Sequence, residues 1–234
     1  MGTNINRDIE IRILRSDRKS LVGQVLDDGS IEVRAPLMMS AETISKWLDK
    51  YEHKFMPMVK RCREIQELKK PLTYGGEVLF LGKRVPIIAA EDDNKGYMIL
   101  YKNGAFVTQP GLSEDEMRKW ISWELSDLAK PILEKKLWHY SDLMGVHCKT
   151  WTIGNARKRH GSCDSNGKII FSWLVIMMSE PVIDYIIVHE LAHLKQQNHS
   201  SAFHEEVAKI LPDWEECRKA YNDYGFILRC DGWI

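Results

Sequence analysis

No long apolar run, no excess of one charge and no paired-cysteine motif is found in this sequence, and each absence removes a class of function. The longest apolar runs, Phe171 to Met178 and Tyr185 to Val188, fall far short of the about 20 residues a bilayer-spanning helix needs. Thirty-three lysines and arginines balance 33 aspartates and glutamates, so no global field draws the chain to nucleic acid or an anionic membrane. The five cysteines, Cys62, Cys148, Cys163, Cys217 and Cys230, are odd in number and include no Cys-x-x-Cys pair, which argues against a zinc ribbon or a disulfide framework. The opening MGTNINRDIE has no basic segment leading into an apolar core, so the expectation is a cytoplasmic chain without a secretory leader, its thiols reduced. Gly75-Gly76 lacks the remainder of a phosphate loop.

What is present is an ordinary globular composition, 44% hydrophobic and 28% charged over 234 residues, enough for one large domain or two small ones. Around residues 8 to 35, Ile9, Ile11 and Ile13 alternate with polar neighbours, and Leu21 to Leu26 and Ile31 to Val33 flank Asp27-Asp28-Gly29-Ser30, the pattern of a hairpin. Pro36 stops it. Ser40 opens a helical stretch through Ile44, Trp47, Leu48 and Tyr51, which Pro57 is expected to break or kink before the spacing resumes at Val59, Ile65 and Leu68. The bases there, Lys54, Lys60, Arg61, Arg63, Lys69 and Lys70, interleave with Glu52, Glu64 and Glu67 as on a solvated face. From 72 to 109 short apolar runs are separated by Gly82-Lys83, Asn94-Lys95-Gly96 and Asn103-Gly104, again strands.

Pro110-Gly111 is the clearest punctuation, and it suggests a β-rich portion with helices over 1–110 and a metal-binding catalytic portion over 111–234. Ser113 leads Glu116 by three, a capping box, and the helix that follows runs through Met117, Trp120, Ile121, Leu125 and Leu128, bending at Pro131 and stopping near Gly145. Two strands, Cys148 to Ile153 and Lys168 to Trp173, enclose a segment that folds back through Asn166-Gly167. Within it, Arg157, Lys158 and Arg159 form a basic cluster able to hold an acidic group or a phosphate, or simply to sit in water. Ala202 to Leu211 and Trp214 to Tyr224 read as two closing helices, the second ended by Gly225. The fold class expected from this order is α+β.

One stretch carries chemistry. Residues 181 to 203, PVIDYIIVHELAHLKQQNHSSAF, contain His189-Glu190-Leu191-Ala192-His193, the HExxH pattern. Residues four apart share a helix face, so His189 and His193 can hold one small ion while Glu190 stands beside it, placed to take a proton from a water. The helix is apolar enough to be buried, and buried polar groups without partners are costly, so solvated histidines are a poor account of the pattern. Asn198, His199 and Ser200 are expected to end the helix, with Asn198 left-handed at the turn, which folds His199 back toward the ion and leaves one position open. His204 and the glutamates Glu205, Glu206, Glu215 and Glu216 compete for the third place, and Cys163 is a more distant candidate.

The run VIDYIIVHELAHLKQQNHSSAF, preceded by Gly161-Ser162-Cys163 and Gly167-Lys168-Ile169-Ile170-Phe171 and followed by Pro212-Asp213 and Tyr224-Gly225, resembles the YgjP-like metallopeptidase family, a relative of the WLM and SprT-type zinc proteases. The resemblance implies an α+β, zincin-like fold, zinc on His189, His193 and His199, Glu190 as catalytic base, and peptide or protein substrates. It also marks two departures: the family usually has tryptophan where this chain has His160 and His204. With Arg159, these are the candidate substrate-binding residues, making the pocket more polar than usual. Three functions follow: a zinc metallopeptidase, a nucleotide (nucleoside triphosphate) pyrophosphatase with phosphates on the basic cluster, or a non-catalytic metal-binding or DNA-associated module.

Overall fold

The computed structural model describes residues 9–26, 28–68, 71–90, 99–157 and 159–234. The chain divides into two compact units, Met1–Lys69 and Lys70–Ile234. Asp27, Lys158 and the Asn94-Lys95-Gly96 turn lie outside the described residues, as do Lys69 and Lys70.

In the first unit the alternating segments become β1 (Ile11–Ser16), β2 (Val22–Val25) and β3 (Ile31–Pro36), in the order β1-β3-β2. The hairpin pairs β2 antiparallel to β3, and β1 joins the other side of β3 in parallel. The face bearing Ile31, Val33 and Ala35 is buried under α1 (Ala41–Leu68), which contributes Ile44, Leu48, Phe55 and Val59. Of the break or kink expected at Pro57, the break does not occur: α1 is continuous over 28 residues. Phe55 and Val59 are buried one turn apart while Pro57 is exposed between them, so the missing N–H falls on the side where water replaces the lost bond.

The second unit holds everything else. Strands β4 (Glu77–Phe80), β5 (Lys83–Ala89), β6 (Ile99–Lys102) and β7 (Ala105–Thr108) form a sheet in the order β4-β5-β7-β6. Its Val78, Ile87, Ile99 and Phe106 share one core with Met117, Ile121, Leu125 and Leu133 of α2 (Glu114–Met144). The division expected at Pro110-Gly111 therefore falls inside this unit, because sheet and helix bury their apolar faces against each other. The capping box is formed: Ser113 Oγ accepts from the Glu116 N–H at 3.4 Å and the Ser113 N–H donates to Glu116 Oε2 at 2.9 Å. Gly145 closes α2 in the left-handed conformation at φ 63. Ser113→Ala is expected to cost about 1 kcal/mol of stability in chemical denaturation and to leave the site untouched.

Strands β8 (Thr150–Gly154), β9 (Gly161–Cys163) and β10 (Lys168–Ser172) form a second sheet in the order β8-β10-β9, with β8 parallel and β9 antiparallel to β10. A 3-10 turn at Trp173–Met177 then leads to α3 (Glu180–Ala192), followed by α4 (Ser201–Ile210) and α5 (Trp214–Cys230). The β4–β5 turn is Leu81-Gly82 rather than Gly82-Lys83, with φ of 49 and 77, a two-residue turn with both centres left-handed. Its N–H groups donate to the carbonyls of Ile176 and Met177, and a Cβ on Gly82 would come within 2.8 Å of Ser179 and the Tyr224 hydroxyl, so this turn abuts the start of α3. Lys136 of α2, 2.8 Å from Asp184 and 3.1 Å from Glu180, fixes the same end of α3 from the other side. The α5 helix continues through Gly225 to Cys230 instead of ending there, burying Leu228 and Cys230 beyond the glycine. Among the described residues no helix is long and apolar enough to cross a membrane.

Candidate metal centre

Nearly every side of α3 is covered: it packs on α2, α4, α5 and β9, and nine of its residues are buried. Beyond its exposed first turn the helix has little solvated surface, so its buried polar residues must meet partners from the surrounding elements. Pro181 stands in its first turn, where no N–H is needed. Its regular part stops at Ala192, earlier than expected, and His193 is the C-cap residue in right-handed conformation. The Leu194 and Lys195 N–H groups bond back to Leu191 and Ala192, so the chain tightens there and leaves the helix. Asn198 is not left-handed; among the described residues only Leu81 and Asn103 are non-glycines with positive φ.

That early turn returns His199 to the helix. His189, His193 and His199 present one ring nitrogen each, all within 4.8 Å of one another, and among the described residues this is the one such group of histidine, cysteine or carboxylate. Cys163 and the four glutamates are not part of it; Glu206 instead meets Lys195 at 2.8 Å and also pairs with Lys209. The ring of Phe203, fully buried, lies 4.9, 4.7 and 4.8 Å from the three imidazoles and backs them all.

The donor set fits a small cation. His189 Nε2 and His199 Nε2 are 3.0 Å apart, and burial drives the His189 pKa down to about 3, so that ring is neutral. Two nitrogens sharing a tetrahedral zinc, at about 2.0–2.1 Å each, stand roughly 3.3 Å apart, close to this approach. On His193, Nδ1 lies 3.1 Å from the Gln196 carbonyl oxygen; it can only donate to that oxygen, which leaves Nε2 bare for a metal. The turn that ends α3 thus also fixes the tautomer of one histidine.

Glu190 lies against Gly161 of β9. Its side chain is buried, and burial pushes its carboxyl up to about 7, with Arg159 opposing the shift. β9 presses on it: a Cβ at Gly161 would come within 2.5 Å of Glu190 Oε1 and 2.8 Å of Cδ and Cγ. Glycine is needed there for room. Gly161→Ala is expected to displace the carboxylate and lower kcat by about 10²-fold with metal content unchanged; an unaltered kcat would mean that the position of Glu190 does not limit turnover.

A cavity of about 180 Å³ opens beside these groups, lined by Arg159, His160, Gly161, Tyr185, Ile186, His189, Glu190 and Tyr221. Arg159 and His160 therefore reach the cavity. His204 does not line it; its ring is stacked on Trp214 at 4.8 Å and 12°, with Arg218 5.0 Å from the same indole. Tyr185, Tyr221 and Phe203 join the site without a motif to announce them. Tyr185 precedes His189 by four within α3, a spacing that places both on one helix face, whereas His199 precedes α4 and Phe203 lies in its first turn. Tyr221 comes from α5, and nothing local marks it.

Comparison with known families matches residues 19–224 to the YgjP-like, metallopeptidase domain. Among solved structures the chain is similar to the metallopeptidase zymogen abylysin of Pyrococcus abyssi, with 28% sequence identity, 42% of this chain and 97% of that chain covered, and a TM-score of 0.37. No curated protein matches the sequence. With the family match extending from β2 into α5, across the histidine cluster, this chain belongs to the YgjP-like metallopeptidase family.

Proposed function

We propose that the protein is a zinc-dependent peptidase in which His189, His193 and His199 hold the ion and Glu190 is the general base. The observation that carries this reading is the convergence of three imidazole nitrogens within 4.8 Å at the end of α3, one of them on a histidine that shares a cavity with the buried Glu190. Zinc, when bound, lowers the pKa of a coordinated water toward neutrality and polarises the scissile carbonyl. The chain's own groups do the rest. Glu190 takes the proton of the attacking water and gives it to the leaving amine, and its burial, which raises the carboxyl's proton affinity, favours the first transfer. Gly161 leaves room for that carboxylate, and the Gln196 carbonyl keeps His193 in its ligating tautomer. The substrate lies extended along β9, an edge strand of its sheet packed on α3, where backbone pairing brings a peptide bond beside Glu190.

The test is turnover by zinc-loaded protein of a peptide library and, separately, of a nucleotide panel, with Glu190→Gln as control. Peptide cleavage absent from the control supports the reading. Turnover of nucleotides alone would replace it with phosphoryl chemistry at the same residues, and zinc binding with no turnover of either would leave a metal-binding module.

A further inference from the structure

His160 carries an unresolved hydrogen-bond balance that bears on the cavity. It is 5% exposed, and its Nδ1 lies 2.9 Å from the Tyr221 hydroxyl, the two rings meeting edge to face at 5.3 Å and 88°. Among the described residues its buried Nε2 has no hydrogen-bond partner. Burial, with the charge of Arg229, lowers its pKa to about 4, so the ring is neutral and carries one proton. The Ser172 N–H donates to the His160 carbonyl at 2.9 Å, which fixes the backbone that carries the ring.

Two arrangements satisfy the contact. If Tyr221 donates to Nδ1, the ring proton sits on Nε2 as a buried N–H without an acceptor, and only lone pairs of the tyrosine oxygen face the cavity. If Nδ1–H donates, Nε2 is a bare nitrogen and the tyrosine hydrogen is free to turn into the cavity. Orphaned buried N–H groups are the rarer defect in folded proteins. The second consideration agrees: Tyr221 and Glu190 line the same cavity, so a hydroxyl hydrogen turned to that side faces carboxyl oxygens, which a lone pair there would not suit. Both point to the Nδ1–H form.

We propose that Tyr221 is the hydrogen-bond donor to the oxyanion that forms at the scissile carbonyl, and that His160, protonated on Nδ1, is the positioning residue that turns the tyrosine hydrogen into the cavity. The proposal rests on the peptidase reading above. As the oxygen of the attacking water bonds to the carbonyl carbon, the C=O π pair moves onto the carbonyl oxygen and the water proton goes to Glu190. Tyr221 keeps its proton throughout and contributes a hydrogen bond that strengthens as charge develops. In this account His160 acts through Tyr221 and does not touch the substrate.

The experiment has three parts on the zinc-loaded, full-length protein. Tyr221→Phe is expected to lower kcat by about 10²–10³-fold with KM within about threefold, and to weaken a phosphonate peptide, a tetrahedral anionic analogue, by a similar factor. His160→Leu is expected to lower kcat toward the same level, while His160→Asn, whose amide N–H can replace Nδ1–H, recovers part of it. Long-range 1H–15N spectra of histidine-labelled protein, with the His160 signal assigned by its loss in His160→Asn, are expected to show the proton on Nδ1. A proton on Nε2, or an unimpaired Tyr221→Phe with peptides cleaved normally by the parent, overturns this proposal and leaves the peptidase reading standing. A parent that cleaves no peptide overturns both.

Discussion

Glu190→Gln is expected to bind zinc stoichiometrically and to lose at least about 10³-fold in peptide turnover. The amide is nearly the same size as the carboxylate, so it fits the space that Gly161 leaves against α3. It cannot take a proton from water. Glu190 is not one of the three converging nitrogen donors, so metal content should not change. Neither should the fold suffer: the side chain is buried, and a neutral amide avoids the cost of holding an ionised carboxylate out of water. Zinc per chain by elemental analysis, thermal melting and kcat/KM on a cleaved peptide together make the case. Turnover near that of the parent, with zinc in place, would remove Glu190 from the mechanism and require a different base.

How much of this was legible in the sequence depends on the range of the forces involved. Signals that act within one turn of helix or hairpin were readable: the Ser113–Glu116 cap, the left-handed stop at Gly145, the Asn103-Gly104 turn at φ 52 and 79, and the one-turn spacing of His189 and His193. Where local propensity and tertiary burial conflict, the local reading failed. Pro57 and Gly225 are both poor helix residues, yet α1 and α5 run through them because buried residues lie on each side, Phe55 and Val59 in the first case, Leu228 and Cys230 past the glycine in the second. A glycine inside a helix costs about 1 kcal/mol, less than burying one large apolar side chain contributes.

The same limit applies inside the site. His199 was read as returning through a left-handed Asn198; the return is made instead by the tightened backbone after Ala192, closed by the Lys195 N–H three residues before Asn198. The contribution of β9 was invisible because three residues, Gly161 to Cys163, are too short to show a period, and the reason for glycine at 161 is a side chain 29 positions away on another element. Tyr221 is likewise defined only by what α5 packs against. The residue types that do the chemistry could be found from spacing; the groups that hold them in place are assembled by the core.

His199→Ala is expected to lose zinc about as severely as His189→Ala, whereas His204→Ala keeps it. The two positions are five residues apart, yet their surroundings differ. His199 places Nε2 3.0 Å from His189 Nε2 and leans on Phe203 at 4.8 Å between ring centres. His204 stacks on Trp214 and is not one of the converging donors. Removing His199 leaves two nitrogens from one helix face, too few to close a zinc site of either the structural or the catalytic kind unless another ligand moves in. Of the nearby glutamates, Glu206 is already engaged by Lys195 and Lys209. Because His199 is exposed, its loss should leave the metal-free melting temperature within a degree or two of the parent's, a small shift typical of surface substitutions. Metal retained after dialysis against a mild chelator separates the outcomes. If His199→Ala retains zinc like the parent while Glu206→Gln does not, the site holds its ion through two histidines and a glutamate, and α4 must rearrange on metal binding to bring that carboxylate in.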